Sequence, residues 1–164
     1  MGTHYIGTPS EELALATYIK LARAAESVNG RINAHLAAVD LTVSQFGVLE
    51  ALHHLGPMCQ KDLAEKILKS PGNLTLVIDN LVKRDLVKKQ RSTVDRRFVD
   101  IYLTPAGRKL IADFFPRHAA VVVREIGVLS AAEQAQLGNL CRKVGKGVQG
   151  QQDPSTDKRK IDSE

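Results

Sequence analysis

Between residues 60 and 84 two amphipathic segments follow one another with only Lys69 and Ser70 between them. Neither is long enough to be a stable helix alone, so each must pack on the other and on a shared core. In the second, Ser70 suits an N-cap and Pro71 the first helical position, while Leu74, Val77, Ile78 and Leu81 recur at helical spacing. Two short helices joined by a tight turn form a helix-turn-helix, whose second helix can enter a DNA major groove. Two strand-like runs follow, residues 86–90 and 98–104. In the latter Val99, Ile101 and Leu103 alternate with Phe98, Asp100 and Tyr102, which predicts one buried and one exposed face. The polar "RSTVDRR" between them reads as a hairpin tip. The expected fold is mainly α with a small two-stranded β-wing: a winged helix-turn-helix.

Charge gathers in the same region. Residues 83–97 hold Lys83, Arg84, Lys88, Lys89, Arg91, Arg96 and Arg97 against Asp85 and Asp95. The local excess equals the chain's net charge of +5, so the remainder is formally neutral. Such concentration favours a polyanionic partner over a merely solvated surface.

The rest of the chain reads as helices. Residues 10–39 form a long first helix, with Ser10 as the expected cap and Glu11 and Glu12 at the positive end of its dipole. Its apolar positions drift around the cylinder, the pattern of a helix that covers a partner as well as its own domain. "LTVSQF" is a capping box, Thr42 with Gln45, flanked by the staple pair Leu41 and Phe46. That helix ends at "GP", residues 56 and 57. "MCQKDL" repeats the arrangement with Cys59 at the cap. Pro105 opens a helix that Pro116 should kink or interrupt. "SAAE", residues 130–133, caps a last helix in which Cys141 falls in an apolar row with Leu137, Leu140 and Val144. Beyond residue 147 the composition is that of a disordered tail.

Four segments in this order, "LTVSQFGVLEAL", "QKDLAEKI", "LTLVIDNLVKRDLV" and "DRRFVDIYLTPAGRKL", resemble the MarR family of bacterial transcription regulators over residues 10–147. The resemblance implies a homodimer held by residues 10–40 and 105–147, with residues 41–104 as the winged DNA-binding domain and 148–164 as tail. It further implies a repressor on a pseudo-palindromic duplex, released by a small phenolic or anionic effector. In that reading Arg97 reaches a minor groove from the wing and Asp95 helps hold the wing.

The candidate DNA-contacting residues are Ser70, Asn73, Thr75, Leu76, Lys83, Lys89, Arg91, Asp95, Arg96 and Arg97. Ser70 stands at a helix N-terminus that can serve phosphate, and Asn73 and Thr75 carry side chains able to read base edges. The plain alternative is a cap and two solvated residues. Many relatives have an arginine where this chain has Leu76, so readout there is either weaker or an apolar contact with thymine methyls. Arg96 and Arg97 sit where an arginine can enter a narrow A·T minor groove. Lys83, Lys88, Lys89 and Arg91 suit phosphate contacts rather than base reading.

His35, Phe46 and His53 are the residues expected to line an effector cleft. Cys59, at a helix N-terminus, admits an oxidant-sensing role, against the simpler reading of a cysteine replacing a serine or threonine cap. His35, His53, His54 and His118 lack metal-ligand spacing. No cofactor is expected. "GKGVQG" follows a helix and opens nothing, which removes a dinucleotide reading. "NLT" is a glycosylation acceptor only in a secreted chain, and the N-terminus has no leader pattern. No apolar run approaches the roughly 18 residues of a membrane span, so the expected setting is cytoplasmic. Without a P-loop, G-x-S-x-G or H-E-x-x-H pattern, an enzyme has no support. A winged-helix protein-interaction module remains the alternative, with Leu76, Phe98 and Tyr102 as its patch.

Overall fold

The computed structural model describes residues 4–92 and 98–147. Its contacts divide the chain into two units, residues 1–125 and 126–164.

Helix α1 spans Pro9–Asn33. Its cap is Thr8, not Ser10: the Glu11 N–H donates to Thr8 Oγ1, and the Glu11 carboxylate accepts from the Thr8 N–H at 2.8 Å. Pro9 decides this choice, because its fixed φ suits the first helical position and leaves Ser10 inside the helix. None of α1 is buried within the single chain, and Leu13 and Tyr18 are 70% and 67% exposed. The regular helix ends earlier than expected and tightens into a 3₁₀ segment, Ala34–Val39, closed by Asp40 in the left-handed region at φ 51°. The Arg84 guanidinium satisfies the freed carbonyls, donating to Val39 O at 3.2 Å and to Asp40 O.

Helix α2, Val43–Leu55, starts with the expected capping box: Gln45 N–H donates to Thr42 Oγ1 at 3.2 Å, and Thr42 N–H donates to Gln45 Oε1 at 2.9 Å. Leu41 and Phe46 are both buried. Gly56, at φ 82°, turns the chain out of the helix. A two-residue strand β1, Met58–Cys59, comes next and pairs antiparallel with a later strand. It makes the sheet three-stranded among the described residues, where two strands were expected; two residues carry no readable alternation. Helix α3, Gln60–Lys66, begins at Cys59, whose Sγ accepts from the Asp62 N–H at 3.5 Å.

Helix α4 is Pro71–Lys83. Ser70 has the extended backbone of a cap, but its hydroxyl makes no capping bond; its carbonyl takes the Leu74 N–H. Leu74, Ile78 and Leu81 are buried and Val77 is partly buried, as their spacing predicts. Strands β2, Val87–Arg91, and β3, Val99–Leu103, pair antiparallel with Lys89 opposite Ile101. The strand order is β1-β3-β2. Ile101 and Leu103 are buried, but Val99, at the tip end, is exposed.

These elements share one core. Leu49 and Leu52 of α2, Leu63 of α3, the apolar stripe of α4 and Ile101 of β3 meet Ile111 and Phe114 of helix α5, Pro105–Ile126. Pro116 does not interrupt α5. It leaves the Ala112 carbonyl without its helical N–H, yet buried Phe114 and His118 anchor the helix on both sides. In the second unit, helix α6, Ala131–Lys146, is capped by Ser130 with Glu133. Cys141 is exposed rather than core, as are Leu137, Leu140 and Val144. Among the described residues no helix is long and apolar enough to cross a membrane.

Candidate nucleic-acid interface

Because Leu74, Ile78 and Leu81 hold one side of α4 against α2 and α3, helical periodicity turns Gly72, Asn73, Leu76 and Lys83 outward. Asn73, Thr75 and Lys83 are exposed and Leu76 is 64% exposed, whereas Asp79 and Asn80 are half-buried. The outward face is already partly organised by its own neighbours. Gln60 Nε2, at the start of α3, donates to Thr75 Oγ1 at 2.7 Å. Lys89 Nζ, on β2, meets Asp79 Oδ1 at 2.6 Å and so ties the wing to the recognition helix. Both partners are open to water, so the pair contributes only about 0.2–1 kcal/mol. In the free protein Asp79 thus offsets part of the Lys89 charge.

The basic run divides by task. Arg84 belongs to the fold, through the Val39 and Asp40 carbonyls. Lys88 Nζ stands 5.8 Å from the centroid of the Tyr102 ring, which occupies one side of that ring with a cation. Lys83 and Arg91 are exposed. Asp95, Arg96 and Arg97 lie outside the described residues. Sequence reasoning missed Gln60 and Asp79 as organisers, since neither pairing follows from spacing along the chain.

A second cluster lies where α5 meets the 3₁₀ segment and α2. The His35 ring stacks on Phe114, centroids 5.1 Å apart at 14°, and its Nε2 is 3.3 Å from His118 Nδ1. The Phe46 ring packs against His118 at 4.4 Å. A cleft of about 310 Å³ opens here, lined by His35, Ala38, Phe114, Arg117, Ala120 and Val121. Of the three expected effector residues, His35 lines this cleft and Phe46 is buried behind it. His53 lies elsewhere, its ring centroid 4.8 Å from that of His54 and 6.5 Å from that of Phe115. Burial and then the neighbouring His35 push the His118 pKa below its usual value, with Glu50 opposing. His35 Nδ1 is buried with no hydrogen-bond partner among the described residues. Among the described residues no group of three His, Cys, Asp or Glu side chains could hold a metal ion.

A helix-turn-helix with a basic antiparallel wing tied to its second helix defines a winged-helix DNA-binding protein. Comparison with known proteins narrows the class. The MarR family model matches residues 41–99. Over 134 residues the chain is 35% identical to the HTH-type transcriptional regulator MhqR of Bacillus subtilis (strain 168), spanning 82% of this chain and 92% of that protein. Its fold matches the structure of Bordetella bronchiseptica BpsR, whose DNA binding is regulated by 6-hydroxynicotinic acid. The TM-score is 0.73 at 27% identity, over 86% of this chain and 98% of that one. A mutant MarR from E. coli complexed with operator DNA matches with TM-score 0.68 at 26% identity, over 78% and 95% of the two chains. The chain belongs to the MarR family: it is a DNA-binding transcription regulator, not an enzyme.

Proposed function

We propose that the protein acts as a homodimeric repressor on a pseudo-palindromic operator. Each α4 enters a major groove, each wing reaches the flanking minor groove through Arg96 and Arg97, and Lys83 and Arg91 meet phosphates. The observation that carries this reading is the outward face of α4, held beside basic β2 by the Lys89–Asp79 pair. Half-sites would then be about 34 Å apart, one helical turn. The dimer would be built from residues 10–40 and 105–147. Exposed apolar side chains on α1 (Leu13, Tyr18) and α6 (Leu140, Val144) support this, because water-facing rows of this kind gain by meeting a second copy.

Release is assigned to a small aromatic acid or phenol in the cleft beside His35 and Arg117. The stacked rings suit an aromatic body, and the Arg117 guanidinium suits an anionic end. Operator DNA bound by E. coli MarR and control of BpsR by 6-hydroxynicotinic acid are precedents in similar proteins. Cys59 serves as an α3 cap in this reading, without a redox role.

The test is a fluorescence-anisotropy titration of the full chain against duplex from upstream of its own gene and a scrambled control, at two salt concentrations. Tighter binding to the upstream duplex, falling steeply with salt, is expected. Equal affinity for both duplexes at both salts refutes an operator at that position. Sedimentation of the same preparation as a monomer refutes the dimer.

A further inference from the structure

We infer that Leu76 is a specificity-determining side chain of the recognition helix, and that it reads the C5-methyl group of a thymine in each half-site. This rests on the reading above that α4 enters a major groove. In helix-turn-helix complexes the N-terminal part of the recognition helix meets the base edges. Leu76 is the sixth of the thirteen residues of α4, at the end of its N-terminal half.

Three of its neighbours are less able to read bases. Gly72 has no side chain, and the space where a Cβ would stand is open. Thr75 Oγ1 accepts the Gln60 amide at 2.7 Å, which holds that side chain toward α3. The Asp79 carboxylate is held by Lys89 at 2.6 Å, and a free carboxylate there would be repelled by phosphate. Asn73, one turn before Leu76 on the same stripe, is the remaining exposed polar side chain of this half. Leu76 projects furthest of the apolar residues of α4, at 64% exposure, beside these tethered groups.

A leucine offers no donor or acceptor, so it cannot distinguish the N7, O6, N6 or N4 pattern of the major groove. The apolar feature of that groove is the thymine methyl. Covering it removes both methyl surfaces from water, a gain found only at T·A pairs with the thymine correctly placed. An apolar reader also adds no charge, so it discriminates between sequences without raising affinity for DNA in general.

The experiment selects duplexes from a random-sequence library with the full chain, then replaces each thymine of the enriched site in turn by deoxyuridine, which lacks only the methyl. At one thymine per half-site, wild type should lose about three- to tenfold in affinity, the effect of roughly one buried methyl. The Leu76→Ala variant should be insensitive to that replacement and keep the wild-type salt slope. Its circular dichroism should match wild type, since the side chain lies outside the core. Tolerance of deoxyuridine at every thymine overturns the proposal, as does an equal loss in Leu76→Ala. Failure of the library to yield any enriched site instead overturns the major-groove reading on which it rests.

Discussion

Gly107 tests the tertiary joint between the wing and α5. A Cβ built on it would stand 1.9 Å from the Leu86 carbonyl oxygen and 2.8 Å from its carbon, where real contacts begin above 3 Å. That carbonyl cannot swing aside, because it accepts the Thr104 N–H at 3.2 Å. Thr104 in turn caps α5, accepting the Gly107 N–H at 3.0 Å while its hydroxyl donates to Asp85 O at 2.5 Å. Gly107→Ala must therefore move backbone by more than an ångström or break this set of bonds. Overpacking typically costs about 1–3 kcal/mol, and a backbone obstacle puts this site at the upper end or above it. Alanine returns at most about 1 kcal/mol of helix propensity. The expected net loss is about 2–3 kcal/mol, or roughly 4–12 °C in Tm for a chain of this size. Urea unfolding followed at 222 nm, at fixed protein concentration because assembly adds to stability, measures it. A variant as stable as wild type, or more stable, would refute the close approach of Gly107 to the Leu86 carbonyl.

His118 has a pKa below its usual 6.5 because it is buried and beside His35. The folded state therefore binds fewer protons than the unfolded one, so stability is complete above pH 6.5 and falls as pH drops through the lowered value. His118→Gln should remove this fall, seen as a flatter dependence of the urea midpoint on pH. An unchanged profile would rule His118 out as its source. Leu68 is 89% exposed with φ 52°, so Leu68→Gly should relieve left-handed strain, stabilising by about 0.5–1 kcal/mol once the glycine entropy cost is subtracted. A destabilised variant in the same urea assay would contradict this. Asp79→Asn frees Lys89, so duplex binding should tighten for all sequences and the salt slope steepen by up to about one counterion per half-site. Titration at several salt concentrations decides it, and an unchanged slope would show that Lys89 does not reach phosphate.

The local code determined much of this protein. Capping pairs set the starts of α2 and α6, and the 3.6-residue repeat of Leu74, Ile78 and Leu81 fixed which side of α4 is buried. Alternation along β3 placed Ile101 and Leu103 inside. These features were legible because they depend on neighbours within a turn or a strand. Tertiary structure decided what depends on partners distant in the chain. The two-residue strand β1 exists only because β3 is there to pair with it. Arg84 is drawn from the basic run to the Val39 carbonyl, and Lys89 to Asp79. His35 and His118, 83 residues apart, became neighbours with one lowered pKa. Side-chain composition announces that such groups can bond, but only the packing of α5, α2 and the wing brings a particular donor within reach of a particular acceptor.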